Sequence, residues 1–183
     1  MKKIVLKYGL ISGVLCAGMM NATVPFANKI GFDRSMYLGY TVIVLSFLLV
    51  FFGIRAYREA EGGGQITFAR AFGIGILITL ITCVCYVVAW EIIYFNFMPD
   101  FLDKYGAYVI AKAKASGVSD AALQAKIAEL ARSKALYNNV FYNSAETFME
   151  PFPVGLLMTL LSAAVLRKKA RTETAGAPLA ASR

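Results

Sequence analysis

Four stretches of the chain are long, apolar and nearly uncharged, and the rest is organised around them. Residues 8–27, 36–54 and 71–90 contain no Asp, Glu, Lys or Arg, and 147–166 contains one, Glu150. About 20 such residues in a helix cross the roughly 30 Å of hydrocarbon in a bilayer. No water is present there to satisfy backbone groups, so each stretch must close its own hydrogen bonds as a helix. The pattern predicts an all-α fold, a bundle of four transmembrane helices at about 8–27, 36–54, 71–95 and 147–166.

A different pattern separates the third and fourth spans. Residues 100–116 (DFLDKYGAYVIAKAKAS) read as a helix stopped by Gly117, and Ser119 or Asp120 can cap a second one running to about Tyr137. Leu123, Ile127 and Leu130 share one face of that second helix. The expectation is an extracytoplasmic helical hairpin over about 100–137. Its apolar stripe packs on its partner helix or on the outer ends of the spans, with binding of another protein as the alternative. Residues 1–169 then form a single membrane domain. The small, polar segment 170–183 reads as a disordered cytoplasmic tail. The EGGGQ segment at 61–65 reads as a flexible turn; it lacks the Lys-Ser/Thr ending of a phosphate-binding loop.

Composition supports the membrane reading. Of the 183 residues 58% are hydrophobic and 16% charged, and the mean hydropathy is +0.61, too apolar for an ordinary soluble domain. The net charge of +8 is concentrated in three places. Lys2, Lys3 and Lys7 precede the first span; Arg55, Arg58 and Arg70 lie between the second and third, with Glu59 and Glu61; Arg167, Lys168, Lys169, Arg171 and Arg183 follow the fourth, with Glu173. Four spans put these regions on one side. They hold eleven basic residues, whereas the short loop between the first two spans holds only Lys29 and Arg34. By the positive-inside rule both termini are expected in the cytoplasm. Topology thus accounts for the charge without nucleic acid as a partner. The bilayer is the expected partner, and the basic cluster after the fourth span suits anionic lipid. The start of the chain resembles a signal peptide, but Lys7 breaks its apolar region and the uncharged run is long enough to span. A retained first helix is the favoured reading.

Small residues recur every four positions within the spans: Gly9, Gly13 and Ala17; Gly75, Thr79 and Cys83; Gly155, Thr159 and Ala163. This spacing lets helix backbones approach closely. Packing inside the bundle is the first reading, and a homo-oligomer joined through Gly9 and Gly13 the second.

Candidate chemistry is sparse. Histidine is absent, which removes the commonest metal ligand and general base together. Cys16, Cys83 and Cys85 all fall inside spans, and Cys83 and Cys85 point away from each other on a helix. Ser12, Ser46 and Ser162 have no apparent basic partner. No metal, cofactor or catalytic residue is expected, and the chain reads as a non-enzyme.

Two carboxylates stand out. Glu91 interrupts the run YVVAWEIIYFNFMPDF, flanked by Tyr86, Trp90 and Tyr94 as by an interfacial aromatic belt. A rise of 1.5 Å per residue places it ~31 Å above Arg70, near the outer boundary. Glu150 lies ~25 Å above Arg167 by the same measure, just before Pro151 and Pro153, with Glu146 one turn further out on the same face. Ionisable groups at membrane depth are costly and are functional candidates. Glu91, Glu150 and Glu146 are therefore the candidate ligand or proton site. The plainer reading is that both heights are wet and that Glu150 caps its own helix.

The segments KKIVLKYGLISG, GGGQITFARAFGIGILIT, YVVAWEIIYFNFMPDF and EPFPVGLLMTLLSAAVLR occur in order at suitable spacing. Together they resemble a bacterial family of small integral membrane proteins known as domain of unknown function 4199, over about residues 2–169. The resemblance implies a multi-pass helical protein of the bacterial inner membrane and supplies no activity, cofactor or catalytic residue. The functional expectation is a non-enzymatic scaffold or interaction protein, with a membrane-protein partner or a second copy of itself. The alternative is a small transporter, a proton- or cation-coupled carrier using the outer carboxylates.

Overall fold

A computed structural model describes residues 1–168. The expected tail, 170–183, and Lys169 lie outside the described residues. Eight α-helices follow one another: α1 (Lys2–Thr23), α2 (Ala27–Ile30), α3 (Phe32–Ala60), α4 (Phe68–Asn96), α5 (Phe101–Ala115), α6 (Asp120–Tyr137), α7 (Val140–Met149) and α8 (Phe152–Leu166). Among the described residues, four continuous segments are long and apolar enough to cross a membrane: Lys2–Phe26, Phe32–Ala60, Phe68–Asn96 and Val140–Leu166. The last comprises α7 and α8, which break at Glu150–Pro151 because Pro151 and Pro153 offer no backbone N–H to the preceding turn. At 29 residues each, α3 and α4 are ~44 Å long and outreach the hydrocarbon at their ends.

In the bundle, α1 and α8 each pack against both α3 and α4, and α7 leans on α4. Contact is close where small residues recur. A Cβ at Gly13 would lie 2.6 Å from the Cβ of Cys85, and one at Gly9 2.9 Å from Ile81. The α1 face carrying these glycines is thus covered by α4 and is not a free surface for a second copy. Gly75 faces Thr159 and Gly155 faces Thr79 across the α4–α8 seam, Gly155 also meets Phe47 of α3, and Ala17 is half-buried. Buried hydroxyls tie the helices together. Ser12 Oγ donates to the Ser46 carbonyl at 2.9 Å, and Thr79 Oγ1 lies 3.0 Å from Thr159 Oγ1 and 3.3 Å from the Gly155 carbonyl. In surroundings without water, such groups must find partners within the protein.

The two ends of the bundle differ. At one end the terminal ammonium of Met1 pairs with Glu61, Arg70 donates to the Tyr57 hydroxyl at 2.9 Å, and Ile66 and Lys168 exchange two backbone hydrogen bonds. The turn at 61–65, expected to be flexible, is closed: Gly62, Gly64 and Gln65 each donate a backbone N–H to Tyr57, Arg58 and Gly62 respectively. Gly63 and Gly64 hold positive φ there, +56° and +80°, where glycine carries no steric cost.

At the opposite end, α5 and α6 form the hairpin. Gly117 turns the chain at φ +71°, and Ser119 caps α6 by accepting from the Ala122 N–H. Leu123, Ile127 and Leu130 are half-buried, and Lys134 of α6 pairs with Asp103 of α5. Neither α5 nor α6 contains a fully buried residue. The hairpin is held to the bundle by aromatic rings instead. Phe101 meets Trp90 edge-on at 5.3 Å, Tyr137 meets Tyr94 at 5.5 Å, and Phe32 contacts Phe101, Tyr105 and Tyr108.

Candidate functional site

Beneath the hairpin lies a cavity of about 750 Å³, bounded by α1, the start of α3, α4, α5, the end of α6 and α7. Each wall has a local cause. Tyr86 and Trp90 are four apart and share one face of α4. Both are almost fully covered, 8% and 7% exposed. Sequence reading placed them in an interfacial belt with Tyr94; here all three are packed inside, because α5, α6 and α7 lie over this end of α4. The roof is the aromatic set of α5, Phe101, Tyr105 and Tyr108, and the apolar floor includes Cys16, Met20 and Ile43.

Asn143 is the keystone of the wall. Asn139 caps α7 by accepting from the N–H groups of Phe141 and Tyr142. One turn on, the fully buried Asn143 accepts from Trp90 Nε1 at 3.0 Å and Thr147 Oγ1 at 3.1 Å, and donates to the Tyr137 carbonyl at 3.3 Å. One amide thus joins α4, α6 and α7 and fixes the Trp90 ring at the cavity wall. Its spacing to Thr147 is visible in the sequence, but nothing there links it to Trp90.

Four charged residues line the cavity: Asp33, Lys112, Glu146 and Glu150. Lys112 donates to both oxygens of Asp33, at 3.0 and 2.8 Å, and this bond holds the ammonium pKa above its ordinary value. Glu150 accepts from the Tyr86 hydroxyl at 2.9 Å and keeps exposed surface. No ion pair engages Glu146 or Glu150 among the described residues. Burial pushes the Tyr137 hydroxyl pKa up, so it stays a neutral hydrogen-bonding group at the cavity edge.

Of the three glutamates singled out from the sequence, the cavity gathers Glu146 and Glu150 but not Glu91. Helices α4 and α7 run antiparallel, so Tyr86 meets Glu150 while Glu91, ~7.5 Å further along α4, meets Ser144, whose hydroxyl donates to it at 2.9 Å. A step of five residues also turns Glu91 ~140° from Tyr86, off the cavity face. The second Glu91 oxygen is buried without a partner among the described residues. Glu150 does not cap the following helix: α8 begins at Phe152, its N-cap position is Pro151 with no side-chain cap, and the Glu150 carboxylate turns to Tyr86.

The arrangement is that of a multi-pass helical membrane protein with a hairpin-roofed cavity bearing carboxylates. The chain belongs to the family described as protein of unknown function (DUF4199), whose model matches residues 7–168. No curated protein and no solved structure matches it.

Proposed function

We propose that this protein binds a small ligand in the cavity and acts without catalysing a reaction, as the receptor or carrier for that ligand. The observation that carries the reading is the pair Glu146 and Glu150, two carboxylates without cationic partners among the described residues, facing about 750 Å³ of mostly aromatic and apolar wall. That volume lies within the ~300–1,000 Å³ typical of ligand sites, which likewise combine apolar walls with a few placed polar groups. Such a cavity favours the carrier side of the sequence expectation over a scaffold. The exposed hairpin supports the scaffold as a second reading, since neither of its helices has a fully buried residue.

The binding test uses the purified protein in nanodiscs of zwitterionic lipid. It is titrated with three bulky aromatic probes that differ in charge: tetraphenylphosphonium, triphenylphosphine oxide and tetraphenylborate. At 100 times its Kd a ligand stabilises the folded state by about 2.7 kcal/mol, which raises Tm by ~5–10 °C for a chain of this size. At least one probe is expected to do so. Gly39 lines the cavity, and a Cβ added there meets no atom within 4 Å, so Gly39→Phe projects a ring from an open position into the space and should abolish the shift. The reading is lost if no probe shifts the wild type, or if Gly39→Phe responds equally.

The membrane is the bacterial inner membrane in this reading, with the hairpin and cavity outside. Support comes from Lys2 and Lys3, from Arg58 and Arg70 on either side of the 61–65 turn, and from Arg167 and Lys168, which lie at the end opposite the hairpin. On intact cells an impermeant maleimide should label Ala121→Cys but reach Lys2→Cys only after lysis. The native Cys16 and Cys83 are buried and should stay silent, and the half-buried Cys85 is replaced by serine in both variants. The reverse labelling pattern inverts the topology.

A further inference from the structure

Resting on the ligand-binding reading, we infer that the cavity takes an amphiphilic organic cation, its positive group against Glu150 and its apolar body among the rings. Charge decides the sign. Asp33 already holds Lys112, so the cavity's unspent charge is the negative charge of Glu146 and Glu150. An anion entering would meet both carboxylates. A neutral apolar guest would strip water from Glu150 and return only the Tyr86 hydrogen bond it already has.

The walls suit a cation that carries an apolar body. Tyr86 contacts Glu150, and Trp90, Tyr105 and Tyr137 line the same cavity; aromatic faces attract ammonium-like groups within about 6 Å, most strongly where water is excluded. Met19, Met20 and Met149 also line the cavity. Unbranched thioethers of this kind adapt to irregular guests and to varied chain shapes. A small hydrated inorganic ion would leave most of this surface unused.

Trp90 is the only tryptophan in the chain and lines the cavity, so its fluorescence reports occupancy directly. In the same nanodiscs, tetraphenylphosphonium should quench or shift Trp90 emission saturably. It should bind at least about tenfold more tightly than triphenylphosphine oxide, one charge contact in a sheltered site being worth that much. Tetraphenylborate should not bind saturably. Glu150→Gln keeps an acceptor for Tyr86 and should cost tetraphenylphosphonium about tenfold while sparing triphenylphosphine oxide. Glu91→Gln, off the cavity, should change neither by more than about twofold. Equal affinity for the neutral and cationic probes overturns the cation and leaves the ligand-binding reading standing, as does a preference for tetraphenylborate. An unchanged cation affinity in Glu150→Gln removes Glu150 from the site. Failure of all three probes ends both proposals.

Discussion

Replacing Gly155 with valine is expected to destroy the packing of α8 on the bundle. A Cβ at this position would sit 2.5 Å from Thr79 Cγ2 and 2.7 Å from the Phe47 ring. Neither neighbour can yield. Phe47 is fully buried, and Thr79 is fully buried and hydrogen-bonded to the Gly155 carbonyl and to Thr159. The helices must therefore separate, which loses dispersion contacts along the seam and strands two buried hydroxyls. Overpacking alone costs about 1–3 kcal/mol, and each stranded hydroxyl adds ~1–3 kcal/mol. Denaturant titration in mild detergent should show a loss of at least ~3 kcal/mol, or no folded protein at all. Gly155→Ala should fall part of the way. Gly73→Ala is the control, because a Cβ at Gly73 meets nothing within 4 Å; a helix gains up to ~1 kcal/mol from that exchange. Equal losses at both positions would refute the close-approach account.

The second large effect is expected at Asn143. Asn143→Leu keeps the branched outline of the side chain but strands the Trp90 Nε1–H, the Thr147 hydroxyl and the Tyr137 carbonyl, all now satisfied by one amide. At ~1–3 kcal/mol for each buried group left unpaired, a loss of about 3 kcal/mol or more is expected, concentrated where α6 and α7 meet α4. The Trp90 emission should move to longer wavelength, and the hairpin should become more sensitive to protease. Asn96→Leu is the comparison: exposed Asn96 only returns a hydrogen bond to Ile92 within its own helix, and surface changes of that kind stay within about 0.5 kcal/mol. If Asn143→Leu leaves the Trp90 spectrum and the stability unchanged, the amide is not the clamp the contacts indicate.

These two residues show where sequence reasoning reached and where it stopped. Gly155 was visible as part of a four-residue repeat of small side chains, because close helix contact has a local signature. The repeat said nothing about which helix it meets; Thr79 and Phe47 come from α4 and α3. Asn143 left almost no signature, because a buried amide and a surface amide have the same letter in a sequence. The carboxylates fall between. Arithmetic along each helix placed Glu91 and Glu150 toward the same end. Each proves to have its own partner on the other helix, Ser144 and Tyr86 respectively. Rise along a helix is set by residue number, whereas the direction a side chain faces depends on how that helix is rotated in the bundle. The aromatic belt failed for a related reason: Tyr86, Trp90 and Tyr94 suit an interface by type, but the hairpin folds over that end of α4 and buries them.

Hydrophobicity and length therefore determined the four spans from the sequence alone, since in lipid an apolar run of that length has no alternative to a helix. Turn chemistry at Gly117 and at Ser119 or Asp120 likewise predicted a helical hairpin, and the placement of Lys and Arg predicted which regions share an end. The cavity, the Asn143 clamp and the separation of Glu91 from Glu150 were decided only by tertiary structure. Each depends on the register and rotation of α4 against α7 and on where α5 comes to rest. Those are set by pairwise packing between residues distant in the chain, about which no single stretch of sequence carries information.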